Sequence, residues 1–486
     1  MLAAGYLIHG LEVRQTALVF YITYKGGMNV EEVRQENKMG TMSEGKLLMN
    51  MSLPMMISML VQAMYNIVDS VFVSRVSENA LTAVSLAFPL QTLLIAVAGG
   101  TGVGVNSLLS KSLGEKNYDR ANKTAVNGIF LYIVSYLVSA VVGLFAVRPF
   151  YASQIGDAPV EIMDMGVQYL TIVMVASLGL YAQFIFERLL QATGRTFFTM
   201  ISQMVGAIIN IILDPILIFG YFGLPKMGVA GAAVATVIGQ IIAGFIGMLY
   251  NLKKNDDITI SFRGFKPNRE VIATIYKVGL PSIVMQSIGS IMTYGMNLIL
   301  VGLSATAAAV FGVYFKLQSF FFMPIFGLNN GLIPIVAYNY GAKKKKRMIR
   351  TMKWGMLIAF CFMVLGFVAF ETIPDTLLLL FDASENMLSI GIPALRAIAF
   401  HFLIAWFCIV AGSIFQAVGN GMYSLYVSVA RQLVVLLPVA YVLAKIGGLS
   451  LIWWSFPIAE LMSGLISAIC LILTFKKVIN PLPDET

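Results

Sequence analysis

The first half of this 486-residue chain returns in its second half, and both halves are strongly apolar. Leu53-Pro54 recurs as Leu280-Pro281. At the same offset of 227, with no gap, Gln91 meets Gln318, Gly100 meets Gly327, Gly104 meets Gly331 and Gly114 meets Gly341. Later in each half, Gln191-Ala192-Thr193-Gly194 is echoed by Gln416-Ala417-Val418-Gly419, and Pro215 by Pro438. Two homologous blocks of membrane helices can rock against each other, so that the gap between them opens to either side of a bilayer. Repeats of this kind place substrate and ion sites within or between the two lobes.

Membrane placement follows from composition. The chain is 58% hydrophobic and 12% charged, with mean hydropathy +0.82, whereas soluble domains carry roughly 25% charged residues. Apolar stretches of about 20 residues recur throughout, the signature of a polytopic helical protein. The short alternating segments of a β-barrel are absent. Twelve spans are expected, near 47–73, 83–109, 126–147, 165–189, 197–220, 229–251, 272–301, 307–336, 352–373, 391–416, 424–444 and 451–474. The expected fold class is an all-α membrane protein of two six-helix bundles related by a pseudo-twofold along the membrane normal, because six spans preserve orientation. The expected division is an N-terminal segment 1–46, a first lobe 47–251, a linker 252–271 of short amphipathic or irregular structure, a second lobe 272–474 and a tail 475–486.

The loops after spans 2, 4, 6 and 8, with the tail, hold Lys111, Lys116, Arg120, Lys123, Arg188, Arg195, Lys253, Lys254, Arg263, Lys266, Arg269, the run Lys343 to Lys353, Lys476 and Lys477. The opposite loops hold only Arg75, Arg148, Lys226 and Lys445, and the stretch 371–390 is acidic, with Glu371, Asp375, Asp382 and Glu385. This bias predicts both termini in the cytoplasm and basic loops that attract anionic lipid headgroups. The net charge of +9 is therefore a topology signal and not a nucleic-acid footprint. Residues 1–27 lie outside the repeat. They are expected to be a start-site artefact or a disordered tail, with Met28, Met39 and Met42 as alternative starts.

Ionisable groups inside hydrocarbon are costly, so each needs a reason. Gln62, Asn66 and Asp69 share one face of span 1 at i, i+4, i+7. Gln203, Asn210 and Asp214 share one face of span 5. Pro215 cannot donate to the carbonyl of Ile211, which leaves that oxygen free nearby. Span 6 offers Thr236 and Gln240. Two carboxylates, an amide, a hydroxyl and a loose carbonyl supply the oxygens a Na⁺ ion requires, and two crowded carboxylates equally suit a proton carrier. At the repeat offsets Asp69 becomes Met296 and Asp214 becomes Leu437, so ion coupling is expected of the first lobe alone. In the second lobe Glu460 is expected to meet a cationic substrate or to pair with Arg396, His401 or Arg431, and Gln286, Asn297 and Glu460 are the candidate substrate contacts. Glu187-Arg188 reads as a local ion pair.

No catalytic constellation is present. There are two histidines, His9 and His401, and no phosphate-cradling loop followed by Lys-Ser/Thr, so ATP is not expected as the driver. Gly99-Gly100-Thr101-Gly102-Val103-Gly104 lies inside an apolar span, where it suits close helix approach or a hinge. Cys361, Cys408 and Cys470 lie in separate spans without paired spacing and read as packing residues. A membrane-embedded transferase would need acid, base or metal groups at one interface. A passive channel would not need a crowded carboxylate pair.

Leu53-Pro54 through Asn66-Ile67-Val68-Asp69, Ala80-Leu81-Thr82-Ala83-Val84, Gly100 to Gly104, Gly114-Glu115, Leu190 to Gly194, Asp214-Pro215 and Gly231-Ala232-Ala233 together resemble the multidrug and toxic-compound extrusion (MATE) transporters. The resemblance covers roughly residues 45–475. It implies two six-helix bundles around a V-shaped cavity, and export of cationic amphipathic compounds in exchange for Na⁺ or H⁺ with no other cofactor. It also implies a monomer in the bacterial inner membrane. In one bacterial branch, resembling DinF-type and small multidrug-exporting members, the ion site is an Asp of span 1, an Asn and Asp of span 5 and a Thr of span 6. Those roles fall here on Asp69, Asn210, Asp214 and Thr236. A second branch uses a Glu eight residues past the span-7 Leu-Pro, where this chain has Gly289. The alternative within the superfamily is a lipid-linked oligosaccharide flippase, which would need cations lining its cavity, and the in-span cations are few (Arg396 and Arg431).

Overall fold

The computed structural model describes residues 36–155, 160–381 and 383–483. The expectations for residues 1–27 and for Asp382 lie outside the described residues. Among the described residues every regular element is helical, and the spans appear where expected, most of them longer. Spans 1 to 3 are the helices Glu44–Ser74, Glu78–Gly114 and Tyr118–Phe145, span 5 is Thr196–Phe219 and span 6 is Val229–Lys254. Spans 7 to 9 are Arg269–Val301, Ala305–Gly341 and Lys345–Thr372, and span 12 is Ser455–Thr474. The 37 residues of span 2 rise about 55 Å, well beyond a hydrocarbon core of about 30 Å. Such helices project into the loops' aqueous layer or tilt. Span 1 remains helical through Pro54 and span 5 through Pro215.

The repeat extends to the irregularities. Span 4 is broken into Val160–Val175 and Leu178–Ala192, bent by 43°, and span 10 into Glu385–Ala399 and Phe402–Ala417, bent by 51°. Short helices, Val147–Ile155 and Pro374–Leu379, follow the third span of each lobe. Span 11 is the exception to symmetry. It runs as Gly421–Val429, a π-helical stretch Ala430–Leu436, then Leu437–Ile452, whereas its counterpart, span 5, is α-helical throughout.

The repeated glycines form the seam between the lobes. Span 2 packs on spans 7 and 8, and span 8 on span 1. A Cβ at Gly100 would stand 2.6 Å from the backbone nitrogen of Ile283, and one at Gly327 2.6 Å from that of Met56. Ile283 and Met56 are themselves matched at the offset of 227. A Cβ at Gly114 would overlap the carbonyl oxygen of Tyr338, and one at Gly341 that of Lys111, again a matched pair. This reciprocity is the contact pattern of a twofold, with absent side chains letting backbones touch.

At the end of the molecule that bears the basic loops, residues 36–43 join both lobes. Met39 is fully buried. The Asn37 amide donates to the carbonyl of Thr193 (3.0 Å) and to Asp257 (3.1 Å). From the other lobe, Asn339 donates to the carbonyl of Met39 (3.1 Å), Lys344 to that of Gly40 (2.9 Å) and Arg347 to that of Met42 (2.5 Å). The linker is irregular between Lys254 and Arg269 and carries no amphipathic helix. The Thr259 and Asn268 amides donate to Asn122 (2.7 Å) and Asn127 (2.9 Å) of span 3.

Candidate functional site

Asp214, Asn210 and Gln203 lie on one face of the span-5 helix, turned into the first lobe. Asp214 is fully buried and Asn210 nearly so. Span 1 crosses in front and brings the Asp69 carboxyl within hydrogen-bonding reach of Asp214. One oxygen of Asp69 is buried and finds no other partner. Asn210 links the pair to span 6. In the amide orientation that satisfies both neighbours, its nitrogen donates to Asp214 (3.3 Å) and its oxygen accepts from the Thr236 hydroxyl (3.2 Å) and N–H (3.1 Å). Asp69, Asn210, Asp214 and Thr236 thus form one constellation drawn from three helices. The donor set is oxygen-rich and compact, which suits a hard monovalent cation or a shared proton.

Beside it lies a cavity of about 90 Å³, room for several waters at about 10–15 Å³ each. Its polar lining is Ser58, Gln62 and Tyr65 of span 1, Gln183 of span 4, Gln203 and Asn210 of span 5, and Thr236 and Gln240 of span 6. No Lys or Arg is among the lining residues. Tyr65 is also within electrostatic range of both aspartates. Ser58, Gln62, Tyr65 and Asp69 follow i, i+4, i+7, i+11, so the true inward stripe of span 1 is one position round from the expected one. Asn66 sits at its edge, is exposed, and does not line the cavity.

A second correction concerns Glu187 and Arg188. Adjacent residues on a helix point to different faces, and the two bind different partners. Glu187, buried, accepts from the amides of Gln183 (3.0 Å) and Gln203 (2.6 Å), and Gln203 in turn accepts from Ser58. Arg188 donates to Gln191 (2.8 Å) and, across the seam, to Asn330 of the second lobe (2.8 Å). The extra members, Ser58, Tyr65 and Gln183, were signalled only weakly. The first two extend the helical stripe of span 1, and Gln183 stands four residues before Glu187.

In the second lobe Glu460 pairs with Arg431 (3.3 Å), one of its three expected partners. Gln286 lies at the seam, where a Cβ on Gly99 of span 2 would come within 2.9 Å of its amide oxygen. Asn297, further along span 7, is half-buried.

The MatE family model matches residues 54–216 and again residues 281–442, one copy in each lobe. The multidrug export protein MepA of Staphylococcus aureus (strain MRSA252) is 28% identical over 423 residues, covering 86% of this chain and 92% of that protein. The MepA of Staphylococcus haemolyticus (strain JCSC1435) is 30% identical over 424 residues, covering 85% and 90%. Among solved structures, an outward-facing multidrug resistance MATE family transporter of the MOP superfamily matches with TM-score 0.86 at 24% identity, over 92% of this chain and 99% of that one. A MOP superfamily transporter from Pyrococcus furiosus matches with TM-score 0.85 at 25% identity, over 91% and 99%.

Proposed function

The chain belongs to the MatE family of membrane transporters, and from that premise we propose that it is a secondary antiporter exporting organic cations in exchange for Na⁺ or H⁺ bound at Asp69 and Asp214. The observation that carries this reading is the meeting of the two carboxyls beside a cavity of about 90 Å³, found among the described residues in the first lobe alone. Like unit charges about 4 Å apart repel by about 4 kcal/mol at an effective dielectric near 20, so the pair favours a cation or proton between its members. Asn210, donating to Asp214 and accepting from the Thr236 hydroxyl and N–H, ties the pair to span 6.

Reading the basic loops as cytoplasmic, we take the glycine seam and residues 36–43 as the closure of that side and start the cycle from an outward-facing state. An ion arriving from outside binds Asp69 and Asp214, draws span 1 toward span 5 and lowers affinity for the substrate. The lobes then rock inward, the ion leaves and a new substrate binds. Each ligand drives this cycle only through its different affinity for the two states. The lining of amides, Tyr65 and small residues, without Lys or Arg, favours a cation exporter over a flippase of pyrophosphate-linked lipids.

The test is ethidium transport in inverted vesicles, under a Na⁺ gradient and then under a pH gradient. Asp69→Asn and Asp214→Asn are each expected to lose gradient-driven transport. Full transport in both variants would overturn the assignment.

A further inference from the structure

The repeat gives the second lobe no aspartates where the first has Asp69 and Asp214; Met296 and Leu437 stand there instead. Its buried acid is elsewhere, on span 12. Glu460 is 3% exposed, and its carboxyl has one oxygen 3.3 Å from the Arg431 guanidinium and the other without a well-formed hydrogen bond, with the Cys408 thiol close by. Tyr314 and His401 lie within electrostatic range of Glu460, and Phe456 stands one turn before it on span 12. Tyr314 and Phe456 are 5.6 Å apart, Phe311 and Phe456 6.0 Å, and the His401 ring is 6.3 Å from both Tyr314 and Phe456. A buried acid beside aromatic rings is chemistry that suits an organic cation.

Arg431 holds that acid loosely. It makes a single contact rather than the two-pronged pairing its fork permits, and its side chain stays 30% exposed. It also lies in the π-helical stretch Ala430–Leu436, which the matching turns of span 5 lack. Such turns cluster at functional sites and can shift register.

We infer that Glu460 and the aromatic rings beside it form a second cation site, taking the cationic head of an organic substrate, and that Arg431 is its tethered competitor. The inference rests on the reading of the chain as an organic-cation exporter and adds where the positive charge of the substrate is held. A tethered group competes at an effective concentration in the millimolar range. Arg431 therefore sets the affinity low, and a substrate that displaces it frees the π-helical stretch of span 11.

The test is equilibrium binding of ethidium to the purified full chain in detergent, with no gradient. Arg431→Met removes the competitor but keeps its apolar stem. It is expected to tighten binding tenfold or more, whereas breaking a merely structural ion pair would leave the affinity unchanged. The double variant Arg431→Met/Glu460→Gln is expected to lose that gain. Unchanged or weaker binding in Arg431→Met, or equal tightening in the double variant, would overturn the proposal. Should Arg431→Met fail to fold, Glu460→Gln alone decides, because the Arg431 it leaves is partly exposed. Weakening of fivefold or more, with Arg431→Lys like wild type, supports the site; unchanged binding refutes it. Asp69→Asn assayed alongside separates the two proposals, since ion coupling can fail while this binding pattern survives.

Discussion

Replacing Gly114 by valine tests the rocking of the lobes at its tightest point. A Cβ there would overlap the backbone carbonyl of Tyr338 and come within 2.9 Å of the Ala342 nitrogen. Neither neighbour is a flexible side-chain end, so the helices themselves must part. Overpacking of this kind costs about 1–3 kcal/mol, and the cost falls only on the state in which spans 2 and 8 touch. A penalty of about 2 kcal/mol shifts the balance between seam-closed and seam-open states roughly thirtyfold. Spin labels on cysteines at Lys123 and Arg350, both exposed on the basic face, report that balance as a distance distribution, with Cys361 replaced by serine. Gly114→Val is expected to enlarge the long-distance population by an order of magnitude. Its twofold mate Gly341→Val should do the same, and Gly312→Ala, where a Cβ meets open space, should do nothing. If a folded Gly114→Val protein keeps the wild-type distribution, the seam does not close one face of the cycle.

Two further variants probe other parts of the structure. Arg347→Ala removes charge-assisted bonds to the carbonyls of Met39 and Met42 and the ion pair with Glu44. At about 1.5–3 kcal/mol for such bonds, limited proteolysis within residues 36–43 should accelerate tenfold or more, and an unchanged rate would mean that Arg347 does not hold this segment. Gln203→Leu strips an amide donor from buried Glu187 and should destabilise the protein by about 1–3 kcal/mol, read as a lower melting temperature. Adding Glu187→Gln should restore part of the loss, and no recovery would place the damage in packing.

Much of the architecture was legible because membrane helices write themselves in composition. Each span, the even count and the twofold follow from apolar length, loop charge and the 227-residue echo. The glycine landmarks proved to be the interlobe seam, since only a missing side chain permits backbone contact there. The constellation of Asp69, Asn210, Asp214 and Thr236 was readable from helical spacing plus family resemblance, and spacing alone could not say that spans 1, 5 and 6 converge. Asn66 sits at the edge of the span-1 stripe, because i+4 and i+3 steps bracket a face and only the neighbouring helix selects its centre. Sequence adjacency pairs Glu187 with Arg188, whereas its amide partner Gln203 is 16 residues away on the next helix. Local pattern cannot see such a contact. Nor does any residue pattern announce the π-helical stretch at Ala430–Leu436, which depends on how span 11 packs against spans 7 and 12.

Reciprocal binding at Asp69 and Asp214 is the most direct test of the whole scheme. Ethidium affinity of the purified protein is measured across a Na⁺ titration at fixed pH, and across a pH series without Na⁺. The account predicts that one of these ions weakens ethidium binding at least fivefold in wild type, and that the effect vanishes in Asp69→Asn/Asp214→Asn. Ion dependence that persists undiminished in the double variant would contradict it.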